Sequence, residues 1–365
     1  MLAGGRDPIR DVVVVGGGQA GLAMGYHLRR AGLDFKILDG AERVGESWRR
    51  RWDSLVLFTS ARYSALPGMP FPAPSAAYPT KDQVADYLED YATGSSLPIV
   101  PNSLVTSLAR DDGLFVVRTG TGEYRAHQVV VATGPFQEPV IPPVASGLAP
   151  EVFQIHSSRY PRPNQIPGSR VLMVGGGNSG FQIAAELSAT HKVDLALGAK
   201  APMLPQRILG RDLFWWLDKI GVSHVPADSR LGRRLRSKPD PVIGSSKRGL
   251  KRLGVGFRTR VTGAEGRRVA FSDGSADEFD AVVWCTGFKT DHSWIDIPQV
   301  FDERGQIVHE RGVTVTPGLY VLGLSWLHTR GSGLIGWVGD DASFLSDRIM
   351  ERHARIEIEP SAVPA

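Results

Sequence analysis

The chain of 365 residues contains a single cysteine, Cys285. Neither a disulfide framework nor a Cys-x-x-Cys redox pair can form within it, so one class of flavin reductase is excluded. No apolar run is long enough to span a bilayer, and Met1–Asp7 lack the apolar core of a signal peptide. A cytoplasmic protein without membrane contact is the expectation. Ser/His/Asp arrangements, metal-ligand spacings and paired carboxylates are absent as well.

The bulk composition is that of a globular protein, with 42% apolar and 22% charged residues. The length allows about two domains with real cores. A net charge of +4 suits an enzyme of anionic cofactors, and equally many proteins with no such task. The basic run Arg230–Lys238, with Lys247, Arg248, Lys251 and Arg252, has no interleaved aromatics and no binding module. It reads as a solvated face that attracts cofactor, and no nucleic-acid partner is expected.

The most informative stretch is Val12-Val13-Val14-Val15, which breaks into Gly16-Gly17-Gly18-Gln19-Ala20-Gly21. Four β-branched apolar residues in succession suit a parallel strand covered on both faces. Gly16, Gly18 and Gly21 fit Gly-x-Gly-x-x-Gly, in which the glycines make a tight turn, admit a pyrophosphate and allow close helix packing. Gln19 and Ala20 then open a helix whose first amides face the anion. The next strand, Phe35–Leu38, ends at Asp39, where an acid accepts from an adenosine ribose hydroxyl.

The pattern repeats. Val171–Val174 leads into Gly175, Gly177, Ser179 and Gly180, and the apolar strand before Thr286-Gly287 mirrors the strand Val129–Val131 before Ala132-Thr133-Gly134. Two units on one plan argue for two nucleotide sites. After the second unit's strand Val193–Leu197 come Gly198-Ala199-Lys200 and no acid. Lys200, with Arg207, is therefore the candidate for a 2′-phosphate, which favours NADP over NAD. A solvated surface lysine is the competing reading of Lys200.

Between these units, Asp82–Tyr91 has helical spacing, and Leu114–Arg118 pairs as a hairpin with a strand from Tyr124 across Gly120-Thr121-Gly122. The proline-rich loop from Leu66 to Pro79 has Phe71 and Tyr78 to bury. Leu213–Leu217 reads first as a core helix and second as a channel wall. Trp326 and Trp337 divide between pocket lining and core. Ser332, Gly333 and Leu334 stand at the expected start of a last helix, where free amides suit an anionic ring carbonyl.

Together these motifs resemble the class B flavin-dependent monooxygenases, over nearly the whole chain. The resemblance implies an α/β fold of two dinucleotide-binding, Rossmann-like domains of the glutathione-reductase type, the second inserted into the first. On that plan 1–160 and 288–365 form the FAD domain and 161–287 the NADP domain. It also implies FAD at the first glycine motif and NADPH at the second. Gly45-Glu46-Ser47-Trp48 is similar to the family's flavin-contacting Gly-Gly-Thr-Trp, which assigns Trp48 to the flavin, with core packing as its other reading. His156-Ser157-Ser158-Arg159-Tyr160 matches the second half of the family's identifying motif, while Pro150 and Val152 replace its phenylalanine and glycine.

The function so implied is an NADPH- and O2-dependent FAD monooxygenase. A C4a-(hydro)peroxyflavin would oxygenate a small organic nucleophile at nitrogen, sulfur or electron-rich carbon. An NAD(P)H:acceptor flavin oxidoreductase or oxidase is the alternative. Asn178 is the candidate for holding nicotinamide or flavin geometry. His156 is the one residue considered as acid or base, beside a hydrogen-bonded structural role. Cys285 reads as a small core residue. A homodimer is common in such folds and stays open.

Overall fold

The computed structural model describes residues 8–358, so the expectation about Met1–Asp7 lies outside the described residues. Val12, Val13 and Val14 are fully buried because their strand, Arg10–Val15, runs through the middle of a covered sheet. Phe35–Leu38 and Glu123–Val131 flank it in parallel, and Ile99–Val100 and Leu319–Val321 extend the sheet on either side. Two short antiparallel strands, Val313–Thr314 and His309–Glu310, continue beyond Leu319–Val321.

The hairpin and the buried strand expected separately between Tyr124 and Val131 are one element. Glu123–Val131 begins antiparallel to Leu114–Thr119 and ends parallel to Arg10–Val15. A strand that is half hairpin and half core carries two hydrophobic patterns, and the sequence reads as two strands.

A second sheet is wholly parallel, in the order Gly256–Arg258, Lys192–Ala196, Arg170–Val174, Ala281–Trp284, Phe153–His156. Each sheet feeds its central strand into a glycine loop and a helix, Gln19–Arg30 in the first and Asn178–Leu187 in the second. The second sheet takes Phe153–His156, upstream of the expected boundary at residue 161, because that strand pairs with Ala281–Trp284 residue for residue. The chain passes between the sheets twice, and the two passages pair as an antiparallel ribbon, Glu138–Pro139 against Phe288–Lys289.

The helix expected over Asp82–Tyr91 spans Lys81–Gly94, opened by a capping box between Thr80 and Gln83. Its Tyr87 and Tyr91 hydroxyls donate to the carbonyls of Met69 and Pro67, at 2.7 and 2.8 Å. The proline-rich loop is thereby packed rather than loose, with Phe71 against Tyr87. The last helix runs from Val338 to Ile358, later than the start near Leu334 read from sequence. A 3-10 turn, Arg330–Gly333, comes first, so the Gly-Ser-Gly stretch shapes a loop end rather than the first turn of that helix.

Candidate functional site

The glycine triads show three separate reasons for glycine, each met twice. Gly16 and Gly175 have φ of 110° and 127°, and an added Cβ would lie 2.5 Å from the Ala132 carbonyl oxygen and 2.1 Å from that of Cys285. Gly21 and Gly180 close the loops from the helix side: a Cβ there would meet the carbonyl oxygens of Gly16 and Gly175 at 1.8 and 2.1 Å. Above Gly18 and Gly177, the helix N-caps, nothing lies within 4 Å of an added Cβ. A cradle of backbone with open space at the middle position fits a pyrophosphate at each loop.

Around the first loop the expected cofactor residues converge. Gln19 Nε2 donates to the Gly333 carbonyl at 3.0 Å, and Ala20 packs so closely on Gly323 that a Cβ there would lie 2.6 Å away. Ala132 stands beside Gly16. Asp39 leans on Gly17 and accepts from the Ala41 amide at 3.0 Å, and burial raises its carboxyl pKa. Trp48 is half-buried against the main core. Ser332 is buried and its hydroxyl accepts from the His328 and Thr329 amides, so the side chain fixes the loop rather than facing a ligand. Leu334 closes the 3-10 turn by donating to the Gly331 carbonyl.

The two Thr-Gly segments meet at the ribbon. Gln137 Nε2 donates to Thr133 Oγ1 and the Gly134 carbonyl, both at 2.8 Å, while its Oε1 accepts from the Asp291 amide at 2.9 Å. Thr286 donates to the Val140 carbonyl. His156 Nε2 bonds the Gly287 carbonyl at 3.1 Å and Nδ1 accepts from the Ser158 amide at 3.1 Å, which defines a neutral ring. Burial lowers its pKa, and Arg51 adds to that. The ring is a tie between segments, so of its two sequence readings the structural one describes its contacts. Tyr160 is buried and donates to Glu186 at 2.8 Å.

Asn178 spends both ends of its amide on one neighbouring segment. Nδ2 donates to the Pro241 carbonyl and Oδ1 accepts from the Ile243 amide, at 3.3 and 2.9 Å. It pins that strand to the second glycine loop. Lys200 is exposed just past Lys192–Ala196. Arg207 is engaged elsewhere: it donates to the Ala76 carbonyl at 2.6 Å and stacks on Tyr78, in the loop of the first lobe.

A small aromatic core joins the lobes. Tyr63 and Trp337 stack at 5.6 Å and 3°, and Phe214 packs on Trp337 at 5.3 Å. Leu213 and Phe214 are buried there, so the helix Leu213–Lys219 is core at its start. Beside it a cleft of about 400 Å³ opens between the lobes, lined by Leu57, Phe58, Gln182, Gln206, Ile243 and Ser245. Trp326 stands in a left-handed backbone conformation, φ 61°, costly for a bulky residue.

Comparison with known proteins agrees with this architecture. Residues 13–201 match the family model described as pyridine nucleotide-disulphide oxidoreductase. An uncharacterised CzcO-like oxidoreductase of Geobacillus kaustophilus is 47% identical over 94% of this chain and 99% of its own. A probable indole-3-pyruvate monooxygenase, YUCCA9 of Arabidopsis thaliana, is 30% identical over 81% of this chain and 79% of its own. The flavin-containing monooxygenase of Stenotrophomonas maltophilia superposes with a TM-score of 0.80, at 28% identity, over 95% of this chain and all of that one. The chain belongs to the flavin-dependent monooxygenases.

A flavin-dependent monooxygenase of this kind is an enzyme, and FAD and NADPH are its cofactors. With a single cysteine, no disulfide can form within the chain. Cys285 is the chain's one cysteine, it lies against Gly175, and burial pushes its thiol up to about 12. No helix among the described residues is long and apolar enough to cross a membrane.

Sequence reasoning missed two residues of this region. Gln137 ties Thr133-Gly134 to the Asp291 amide beyond the second Thr-Gly segment, and Arg51 lies between Phe136 and Phe288, 5.5 and 5.6 Å from their rings, with its pKa lowered by burial. Neither belongs to a motif. Only the pairing of the ribbon brings their partners together.

Proposed function

We propose that this enzyme uses NADPH and O2 to insert one oxygen atom into a small organic nucleophile, at nitrogen, sulfur or an electron-rich carbon. FAD, once reduced by NADPH and exposed to O2, supplies an electrophilic oxygen. The observation that carries the reading is the lone Cys285, whose thiol, pushed up to about 12, offers no disulfide to receive the electrons beside two matched nucleotide loops.

In this reading residues 1–152 and 288–365 hold FAD and 153–287, which take in the strand Phe153–His156, hold NADPH. The loop Gly16–Gly21 binds the FAD pyrophosphate by its amides, and Asp39 accepts from the adenosine ribose. The loop Gly175–Gly180 does the same for NADPH, with Ser179 in its first helical turn. Ala132-Thr133-Gly134 and Thr286-Gly287 border the meeting point of the two cofactors, held by Gln137 and His156. Asn178 is a positioning residue, because its amide is committed to the Pro241–Ile243 segment. The cleft beside Phe58 and Ile243 is the substrate route, and the aromatic core around Trp337 excludes water from its end.

The partners are a small-molecule substrate and O2. A screen of amines, sulfides and indole-like compounds, with NADPH consumption, oxygenated product and hydrogen peroxide measured together, tests the reading. Product formed one-to-one with NADPH supports it. NADPH oxidation that returns only peroxide, or reduces an added acceptor, with every compound supports an NAD(P)H:acceptor oxidoreductase instead. Protein that stays colourless after reconstitution with FAD overturns both.

A further inference from the structure

The two glycine loops share a plan that continues past the glycines. In the first, Val15 pairs with Leu38, and Asp39 comes next. In the second, Val174 pairs with Ala196, and Leu197 comes next. The backbone agrees at each step. Gly16 and Gly175 donate to the carbonyls of Leu38 and Ala196 at 2.8 and 3.0 Å. Asp39 and Leu197 donate to those of Val100 and Arg258, on the neighbouring strand, at 3.0 and 3.1 Å.

The side chains fall in the same place too. A Cβ on Gly17 would meet Asp39 Oδ2 at 2.4 Å, and a Cβ on Gly176 would meet Leu197 Cδ2 at 2.9 Å. Leu197 therefore stands where the first loop keeps its ribose-accepting carboxylate. An isobutyl group accepts no hydrogen bond, so a ribose with a free 2′-hydroxyl gains nothing there.

What stands next to Leu197 is a cation. Arg260 Nη2 donates to the Gly198 carbonyl at 2.8 Å, and its guanidinium lies 3.6 Å from the position of a Cβ on Gly198. The residue is exposed, and among the described residues that carbonyl is its only side-chain partner. Most of its fork of donors is left for a ligand. The other arginines nearby are occupied. Arg258 pairs with Asp194 and Asp277 at 3.3 and 2.7 Å, and Arg207 is held by Ala76 and Tyr78.

We propose that Arg260 is the residue that selects NADPH over NADH, its guanidinium taking the 2′-phosphate beside Leu197 while Lys200 adds a second, weaker charge. The assignment rests on the reading of the second loop as the nicotinamide-nucleotide site. A planar guanidinium held by one carbonyl is pre-oriented for a bidentate phosphate contact, whereas Lys200 is a free point charge on a flexible stem.

The test is equilibrium binding of NADP+, NAD+, 2′,5′-ADP and 5′-AMP to the FAD-loaded enzyme, by calorimetry, for wild type, R260A, R260E and K200A. Wild type is expected to prefer NADP+ to NAD+ and 2′,5′-ADP to 5′-AMP. R260A should weaken NADP+ and 2′,5′-ADP by about tenfold or more and leave NAD+ and 5′-AMP nearly unchanged. R260E should reverse the preference, and K200A should cost less than R260A. Because Arg260 is exposed, flavin content and thermal stability should not move. A wild-type enzyme that binds both coenzymes equally overturns the NADPH reading together with this assignment. A wild-type preference that R260A and R260E leave intact overturns the assignment alone.

Discussion

His156 Nε2 donates to the carbonyl of Gly287 at 3.1 Å, which ties the edge strand of the second sheet to the segment where the chain returns to the first. The Gly287 bond is made by the neutral and the protonated ring alike, but the Ser158 amide needs the neutral ring, since Nδ1 is its acceptor. Protonation turns that acceptor into a donor facing an N–H.

Acid should therefore cost the contact between the Ser158 amide and the ring, and the desolvation of a buried imidazolium adds to that cost. Burial lowers the His156 pKa below 6.5, and it lowers those of His27, His127, His292 and His309 in the same direction. Above 6.5 folded and unfolded chains are both neutral at these sites, and no stability is lost. As pH falls below that value the unfolded chain takes up protons first, so stability declines until the folded-state pKa values are reached. The Asp277 and Asp280 carboxyls, held near 2 by hydrogen bonds and arginines, lose nothing in that window. Melting curves between pH 7 and 5 should show Tm falling with acidity, and H156Q should flatten the slope. An unchanged slope in H156Q would remove His156 from the account.

The glycine positions separate folding from binding. Gly18→Val should give a folded apoprotein, because the new side chain meets open space but fills the place of the pyrophosphate. Gly177→Val should keep FAD and lose NADP+ binding. Gly21→Ala and Gly180→Ala place a Cβ about 2 Å from a carbonyl oxygen and should reduce soluble yield or Tm by themselves. Flavin retained at full occupancy in Gly18→Val would refute the assignment of FAD to the first loop.

Tyr160→Phe removes the donor to Glu186. Loss of a hydrogen bond to a charged group costs about 1–2 kcal/mol when the partner is half-open to water, so Tm should drop by a few degrees. The visible spectrum of bound flavin should not change. A spectral shift would mean that Tyr160 acts on the cofactor through its neighbours.

Cys285, with its thiol pushed up to about 12, should resist thiol reagents at pH 8 in the native protein and react once the chain is unfolded. Rapid native labelling would restore thiol chemistry to consideration.

The parts of this molecule set by local rules were legible in the sequence. Val12–Gly21 and Val171–Gly180 announce a strand, a turn and a helix through residue type alone, and the apolar spacing of Asp82–Tyr91 announces the helix that spans Lys81–Gly94. Residues chosen by distant neighbours were not legible. Lys200 and Arg207 attract attention because they follow the strand in sequence, yet Arg207 is claimed by Ala76 and Tyr78. Arg260 becomes visible only when the strand just before it, Gly256–Arg258, is seen beside Lys192–Ala196. The counterpart of Asp39 is also a matter of register: sequence alone shows where the valines stop, and only strand pairing identifies Leu197 as the equivalent residue.

The ribbon of Glu138–Pro139 against Phe288–Lys289 has a topological consequence. Every strand of the second sheet lies between its two halves, so the polypeptide departs and comes back at neighbouring points. The intervening segment is a cassette: cutting it out would leave two ends already side by side, ready to be closed by a tight turn. Such an excision would strip Tyr63 and Trp337 of their neighbour Phe214 and lay an aromatic face bare. Joining the halves is therefore easy for the backbone and expensive for the surface.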